Sequence, residues 1–415
     1  MNWSALRPST ERLAAFLGLM LVVWQPFSGA ARVPSLLLLF LGAWMLWKRR
    51  IALADMAVKR LTLVFLLLFV PALLSIPLSY DPLESINVAL AVILFYIVGL
   101  ALLHGLATVE NRAWLVRWLL VMMLFLLVDS GVQFTFGKDL FGVPIGGDGR
   151  VIGPFAGDLH LGLFLAVLAP AVLWNMAGAR PLLALALLAL IGMVAGLSGA
   201  RTNVLFFFLS AGVLMTQLSW RHRALAVATL AAVFIASLLL SPPLASRIDN
   251  GLAAVENNDL DTFHKLDKIL TGRQFIWETA LHMVMERPIT GIGANAFDEA
   301  YDQYASREDD RFRSPGKPYH AHHMYVAIAA ETGVPGLAGL LAIVGLCAAW
   351  YLRAPSDQRR AAAPFAASLV VIAFPIQSQP VLYTIWWFPV VLLLLCGFLV
   401  SLRGESAVAQ HAADT

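Results

Sequence analysis

Two arginines and a group of histidines are the residues of this sequence whose types and placement suit chemistry. Arg201 lies in LSGARTN (197–203), where a glycine reversal precedes apolar residues, so its guanidinium stands at the opening of a helix. Free N–H groups and the positive end of the helix dipole gather at such a point. A forked guanidinium beside them can hold an anion through paired hydrogen bonds. Arg273 repeats the arrangement in TGRQFIWETALHMVMERP (271–288), here directly after a glycine. His320, His322 and His323 follow in PYHAHHMYVAIAAETGVPG (318–336), at the lip of a long apolar run that carries Glu331. A histidine there can take or orient a hydroxyl proton near neutral pH. Zinc is the competing chemistry, because His320 and His323 are three apart. No HExxH is present and a third ligand would have to come from elsewhere, so a site without metal or cofactor is expected.

Supporting candidates surround these. Arg273 and Trp277 share a helix face at four-residue spacing, with Ile276, Ala280 and Met283 on an adjoining apolar face. Tyr319 neighbours the histidines, and Glu331 can pair an arginine or orient a histidine. A glycine-rich stretch, residues 134–160, supplies Arg150, Asp158 and His160, and the short turn FPIQSQP (374–380) supplies Gln377. The glycine-rich stretch lacks both a preceding strand and a following GK[ST], so it is not a nucleotide-phosphate loop.

The elements that must position these residues are apolar. The chain has 415 residues, 60% hydrophobic and 13% charged, with mean hydropathy +0.76, outside the soluble range. An all-α polytopic membrane protein is expected, with about 12 transmembrane helices read at roughly 12–28, 33–47, 61–78, 86–104, 114–130, 154–175, 181–197, 202–218, 223–241, 324–350, 361–376 and 380–401. This divides the chain into transmembrane helices 1–9 (1–241), a polar loop domain (242–323), transmembrane helices 10–12 (324–402) and a cytoplasmic tail (403–415). The loop domain holds 13 of the 26 acidic residues. With both termini inside, 14 basic residues collect on the cytoplasmic side, including Lys48, Arg49, Arg50, Arg112 and Arg180. Only four, Arg32, Lys138, Arg150 and Arg201, fall in the short outer connections. By the positive-inside rule 242–323 is external. The net charge of +3 calls for no nucleic-acid partner. Cys347 and Cys396 both lie in apolar spans, which leaves no disulfide framework.

LSGARTN, TGRQFIWETALHMVMERPITGIGANAF and AHHMYVAIAAETGVPG, in this order among a dozen spans, resemble the bacterial O-antigen ligase and polymerase superfamily. The resemblance implies a GT-C-type glycosyltransferase fold with one large periplasmic loop, in the inner membrane. It implies an undecaprenyl-diphosphate-linked O-antigen donor and, for the ligases, a lipid A–core oligosaccharide acceptor within membrane lipid. It places the diphosphate on Arg201 and Arg273 and the catalytic histidine on His322, nine residues before Glu331. The family usually shows His-Asn where this chain has His322-His323, which keeps His323 a candidate. GPFAGDLHLG also departs from an asparagine-containing turn, a place Asp158 or His160 can take. A polymerase or a protein O-oligosaccharyltransferase would share the donor site. A flippase or transporter would instead put ionisable groups at the bilayer midplane.

The topology is testable by labelling single cysteines with an impermeant reagent from the outer side. Positions near 255 and 305 should react and positions near 50 and 355 should not; the reverse pattern would overturn the orientation.

Overall fold

The computed structural model describes residues 9–27, 29–155, 160–256, 261–270, 272–306, 309, 318, 320–379, 381–384 and 386–403. Among them are sixteen α-helices: α1 Thr10–Val23, α2 Arg32–Trp47, α3 Met56–Ser75, α4 Pro82–Gly105, α5 Val109–Phe136, α6 Leu161–Ala179, α7 Pro181–Leu197, α8 Arg201–Met215, α9 Trp220–Leu240, α10 Pro242–Glu256, α11 Thr262–Ile269, α12 Arg273–Glu286, α13 Phe297–Tyr304, α14 Met324–Arg353, α15 Ser356–Ile372 and α16 Phe388–Ser401. Each of the twelve apolar segments overlaps one helix. Six of these, α3 with its 3-10 extension, α4, α5, α6, α9 and α14, are long and apolar enough to cross a membrane; α2, α7, α8 and α16 are shorter apolar helices. The expected count of twelve crossings therefore stands above the six that length and hydropathy support.

Local chemistry sets several helix starts. Asp55, Asp81 and Thr108 accept N–H groups from the first turns of α3, α4 and α5, at 2.7, 3.0 and 3.2 Å, satisfying donors that would otherwise be orphaned. The most enclosed of the six long helices is α6, which packs against α7, α8 and α15. Its Pro170 has no N–H for the carbonyl of Ala166, and the Ser210 hydroxyl of α8 donates to that oxygen at 2.6 Å. A neighbouring helix thus restores the bond that proline removes.

The same principle docks the polar segment on the bundle. Within α14, Gly333 has φ 69 and ψ −171, backbone that glycine alone adopts readily, and Pro335 lies two residues on. Pro335 cannot donate to the carbonyl of Glu331. Gly293 N–H does so instead at 3.0 Å, and Ile292 N–H donates to Ala330 O at 3.0 Å. In return, Val334 N–H donates to Pro288 O at 2.7 Å. A second, smaller core then forms from Ile276, Ala280 and Met283 of α12, Phe297, Ala300 and Tyr301 of α13, and Ala327 and Ala330 of α14. The apolar face expected on α12 is this buried one. The turn after α12 is also fixed to the α3–α4 junction: Tyr80 N–H donates to Ile292 O, Ala294 N–H to Ser75 Oγ, and Ser85 Oγ to Ala294 O, at 2.9–3.1 Å. Arg287 donates to Leu78 O and lies over the Tyr80 ring. Residues 272–306 are thereby held to the bundle by hydrogen bonds as well as by apolar packing.

Candidate active site

The α7–α8 reversal is the foundation of the site. Gly199 has φ +68, and a Cβ there would lie 3.1 Å from the Arg150 side chain and 3.1 Å from Pro243, so only glycine fits the conformation and the crowding together. Arg150 is carried by the α5–α6 connection. That connection is fastened by Gln133, whose Oε1 accepts Ile152 and Gly153 N–H at 2.9 and 2.8 Å, and by Val151 N–H donating to Leu197 O at 3.1 Å. Arg201 opens α8 as expected. Next to it, α10 supplies an arginine that the motif reading missed: Arg247 Nη1 donates to Gly199 O at 3.1 Å. A Cβ on Gly251, one turn further along α10, would stand 3.7 Å from Arg201 Nη1.

Arg273 completes the group from the first turn of α12. Burial lowers its pKa from the usual arginine value, and the charges of Arg201 and Arg247 lower it further. Arg247 is lowered by burial and by Arg150 and Arg201, with Asp148 acting in opposition. Asp148 Oδ2 lies 2.6 Å from Arg150 Nε. The structure therefore brings Arg150, Arg201, Arg247 and Arg273 into one positive field. Guanidiniums stay charged, so the arrangement stores repulsion that a bound anion relieves.

Helix α12 links this field to the histidines. One turn after Arg273, Trp277 Nε1 donates to Ala321 O at 3.0 Å, and its ring meets the His323 ring edge-on at 5.4 Å between centroids. His323 is the N-cap of α14 and its Nδ1 accepts Val326 N–H at 3.4 Å. His320 Nδ1 accepts His322 N–H at 2.9 Å, and the two rings are 4.2 Å apart. In a neutral imidazole whose Nδ1 accepts, the proton sits on Nε2. His320 and His323 are thus set as Nε2–H donors. His322 also has φ 48, an uncommon conformation for a side chain of its size. Burial, then His322 and Arg273, push the pKa of His320 down to about 3. Burial and the Arg273 charge lower that of His323 against an opposing backbone hydrogen bond. His320, at the end of the polar segment, is half-buried.

The remaining candidates divide. Glu331 is 6% exposed and its Oε2 accepts Asn295 N–H at 3.0 Å. Together with His320 it lines a cavity of about 220 Å³. Gln377 is 1% exposed and turned inward: its carbonyl accepts Met324 N–H at 2.7 Å and its Oε1 accepts Gln379 N–H at 3.1 Å. It shapes the start of α14 rather than presenting its amide outward. His160 stacks on Trp386 at 4.1 Å within an aromatic group that includes Phe155 and Trp387. Asp158 and Tyr319 lie outside the described residues. Of the charged run REDDRFR (307–313), which adds further acidic and basic residues to the polar segment, only Asp309 is described. Among the described residues no three His, Cys, Asp or Glu side chains gather as a metal-ligand set.

Apolar helices in this number, with a polar segment docked on one end, define a multi-pass membrane protein. Residues 184–341 match the family described as O-antigen ligase, a match that supports the O-antigen ligase and polymerase superfamily. The matched stretch runs from within α7 into α14 and contains Arg201, Arg247, Arg273 and the three histidines. No curated protein matches the sequence.

Two outcomes follow from this geometry. Inorganic pyrophosphate should bind the purified protein in a salt-sensitive manner, and Arg247→Ala should weaken binding about tenfold, the loss of ~1.4 kcal/mol expected for one charge-assisted contact. Unchanged affinity would remove Arg247 from the anion site. For pH, the unfolded histidines bind protons below about 6.5, whereas His320 and His323 resist protonation when folded. The unfolded state therefore binds more protons below that value, and stability falls as pH drops through it. The melting temperature should decline between pH 7 and 5, and His320→Asn should flatten the decline; an identical slope in the variant would contradict the burial of a neutral His320.

Proposed function

We propose that the protein is an O-antigen ligase: a metal-independent glycosyltransferase that moves a glycan from undecaprenyl diphosphate to a sugar hydroxyl of lipid A–core oligosaccharide. The reaction takes place at the periplasmic face of the bacterial inner membrane, in a GT-C-type architecture of twelve crossings. The observation that carries this reading is the convergence of four arginines, from the α5–α6 connection, α8, α10 and α12, next to a histidine segment fixed to α12. Three of the four arginines and all three histidines fall inside the matched family region.

In the proposed step the acceptor oxygen forms a bond to the anomeric carbon while the carbon–oxygen bond to the diphosphate breaks. The electron pair leaves with the lipid diphosphate, and the arginines stabilise the charge that grows there. His322 takes the hydroxyl proton, with its neighbours committed as donors. Attack from the face opposite the diphosphate inverts the configuration.

The test supplies purified protein with a lipid-diphosphate-linked glycan and either lipid A–core or a second lipid-linked glycan. Transfer to lipid A–core is expected, unaffected by chelation; lengthening of the lipid-linked glycan alone would replace ligase with polymerase. Arg201→Ala and Arg273→Ala should each cut turnover at least a hundredfold, and lysine should restore only part of it because it lacks the paired donors. His322→Ala should abolish transfer with donor binding intact. Near-normal transfer by that variant alongside an inactive His323→Ala would move the base to His323.

A further inference from the structure

The arginines account for an anion, and His322 for a proton, but neither explains the cavity of about 220 Å³ beside them. It is bounded by the first turns of α14, by Asn295 of the turn after α12, and by residues 381–384 ahead of α16. Its lining mixes polar and apolar groups. It includes Glu331, a carboxylate buried in α14 whose Oε2 is taken by Asn295 N–H, leaving its second oxygen for a ligand. It also includes His320, whose Nδ1 is taken by His322 N–H and whose Nε2–H is therefore a donor. Much of the remaining lining is apolar: Ala327 and Ile328 of α14, and Val381 and Leu382 ahead of α16, where Tyr383 and Thr384 follow.

An acceptor oxygen and an N–H donor, within a lining that is otherwise largely apolar, match the two faces of a sugar ring. Adjacent hydroxyls satisfy the polar pair and the C–H face packs on the apolar lining. An ammonium group would pair with the carboxylate but meet the His320 N–H donor head-on. A phosphate would find no Lys or Arg side chain in that lining. The size admits one ring, not an oligosaccharide.

We propose that this cavity binds the terminal sugar ring of the acceptor, with Glu331 and His320 holding two adjacent hydroxyls. The inference rests on the glycan-transfer reading and extends it to the acceptor subsite. Because the His320 ring touches that of His322, a ring held in the cavity presents a hydroxyl next to the base. Glu331 is then a specificity-determining residue outside the diphosphate site.

The experiment measures binding of methyl α-glucopyranoside, methyl α-galactopyranoside and their monodeoxy derivatives to the full chain in nanodiscs by ligand-observed NMR. Pyrophosphate affinity is measured on the same samples. Wild-type protein should bind at least one parent glycoside and lose about tenfold in affinity for the derivative lacking one of the paired hydroxyls, the effect of one lost hydrogen bond to a charged group. Glu331→Gln should weaken the parent sugar to a similar extent. Ala327→Leu, which fills the cavity from α14 with a good helix former, should remove sugar binding, and both variants should keep wild-type pyrophosphate affinity. Sugar binding that survives Ala327→Leu, or no glycoside binding by wild type, would overturn the proposal. So would parallel loss of sugar and pyrophosphate in both variants, which would assign the cavity to the anion. If the sugar pattern holds but no lipid-diphosphate glycan is transferred, the pocket stands and the ligase reading falls.

Discussion

The break in α14 is the constraint on which the rest of the structure depends. A continuous helix would have used the carbonyls of Ala330 and Glu331 for its own bonds and offered the polar segment nothing to hold. Gly333 and Pro335 free those two oxygens in the middle of an apolar element, and Ile292 and Gly293 take them. Buried backbone groups must be paired, so the turn after α12 and the broken helix each satisfy a need of the other. The same contact brings Asn295 to Glu331 and so shapes the cavity. A local defect in one helix thereby sets the position of α12, and α12 sets the distance between arginines and histidines.

Four guanidiniums in one partly buried field are unfavourable in the absence of an anion, since burial and mutual repulsion both disfavour the charged state. The fold holds them from four separate elements, and the anchors are hydrogen bonds to the backbone: Ile152 and Gly153 N–H to the Gln133 side chain, the Arg247 side chain to Gly199 O, and Gly293 N–H to Glu331 O at the α14 break. Rigid anchors of this kind keep repelling charges from turning away into solvent. Electrostatic preorganisation has that meaning physically: the reorganisation cost is met during folding, leaving less for the moment at which charge develops on a leaving group.

Much of this was legible in the sequence, for physical reasons. Apolar runs of helical length mark helices regardless of partners, so each of the twelve segments coincides with one helix. Arg201 and Arg273 each follow a glycine that has positive φ, a signal confined to a few adjacent residues. Arg247 carried no such signal. It lies in a polar helix, and its role arises from a bond to Gly199, 48 residues away, which no local pattern contains. Gln377 shows the opposite failure: a glutamine in a short turn suggests outward hydrogen bonding, yet the start of α14 needs its carbonyl. His320 ends a polar run, and nothing local to that run shows that it lines a cavity with Glu331. The number of crossings was the least local quantity, since short apolar helices such as α7 and α8 depend on neighbours that a hydropathy window does not see.

The histidine segment illustrates how identical side chains acquire different chemistry within four residues. His320 and His323 each spend a ring nitrogen on a backbone N–H, and that commitment decides their tautomers as firmly as a titration would. Burial next to Arg273 acts in the same direction, because a second positive charge there would be doubly unfavourable. Both rings are therefore poor proton acceptors in this fold and good N–H donors. A base for an attacking hydroxyl must instead gain a proton during the reaction, when negative charge is moving onto the diphosphate and the net field of the arginines is being compensated. The positive field that suppresses histidine protonation in the empty site is the field an anion would neutralise. On this logic an anion bound at the arginines would ease protonation of His320 and His323, the two rings that Arg273 disfavours, without any movement of the chain.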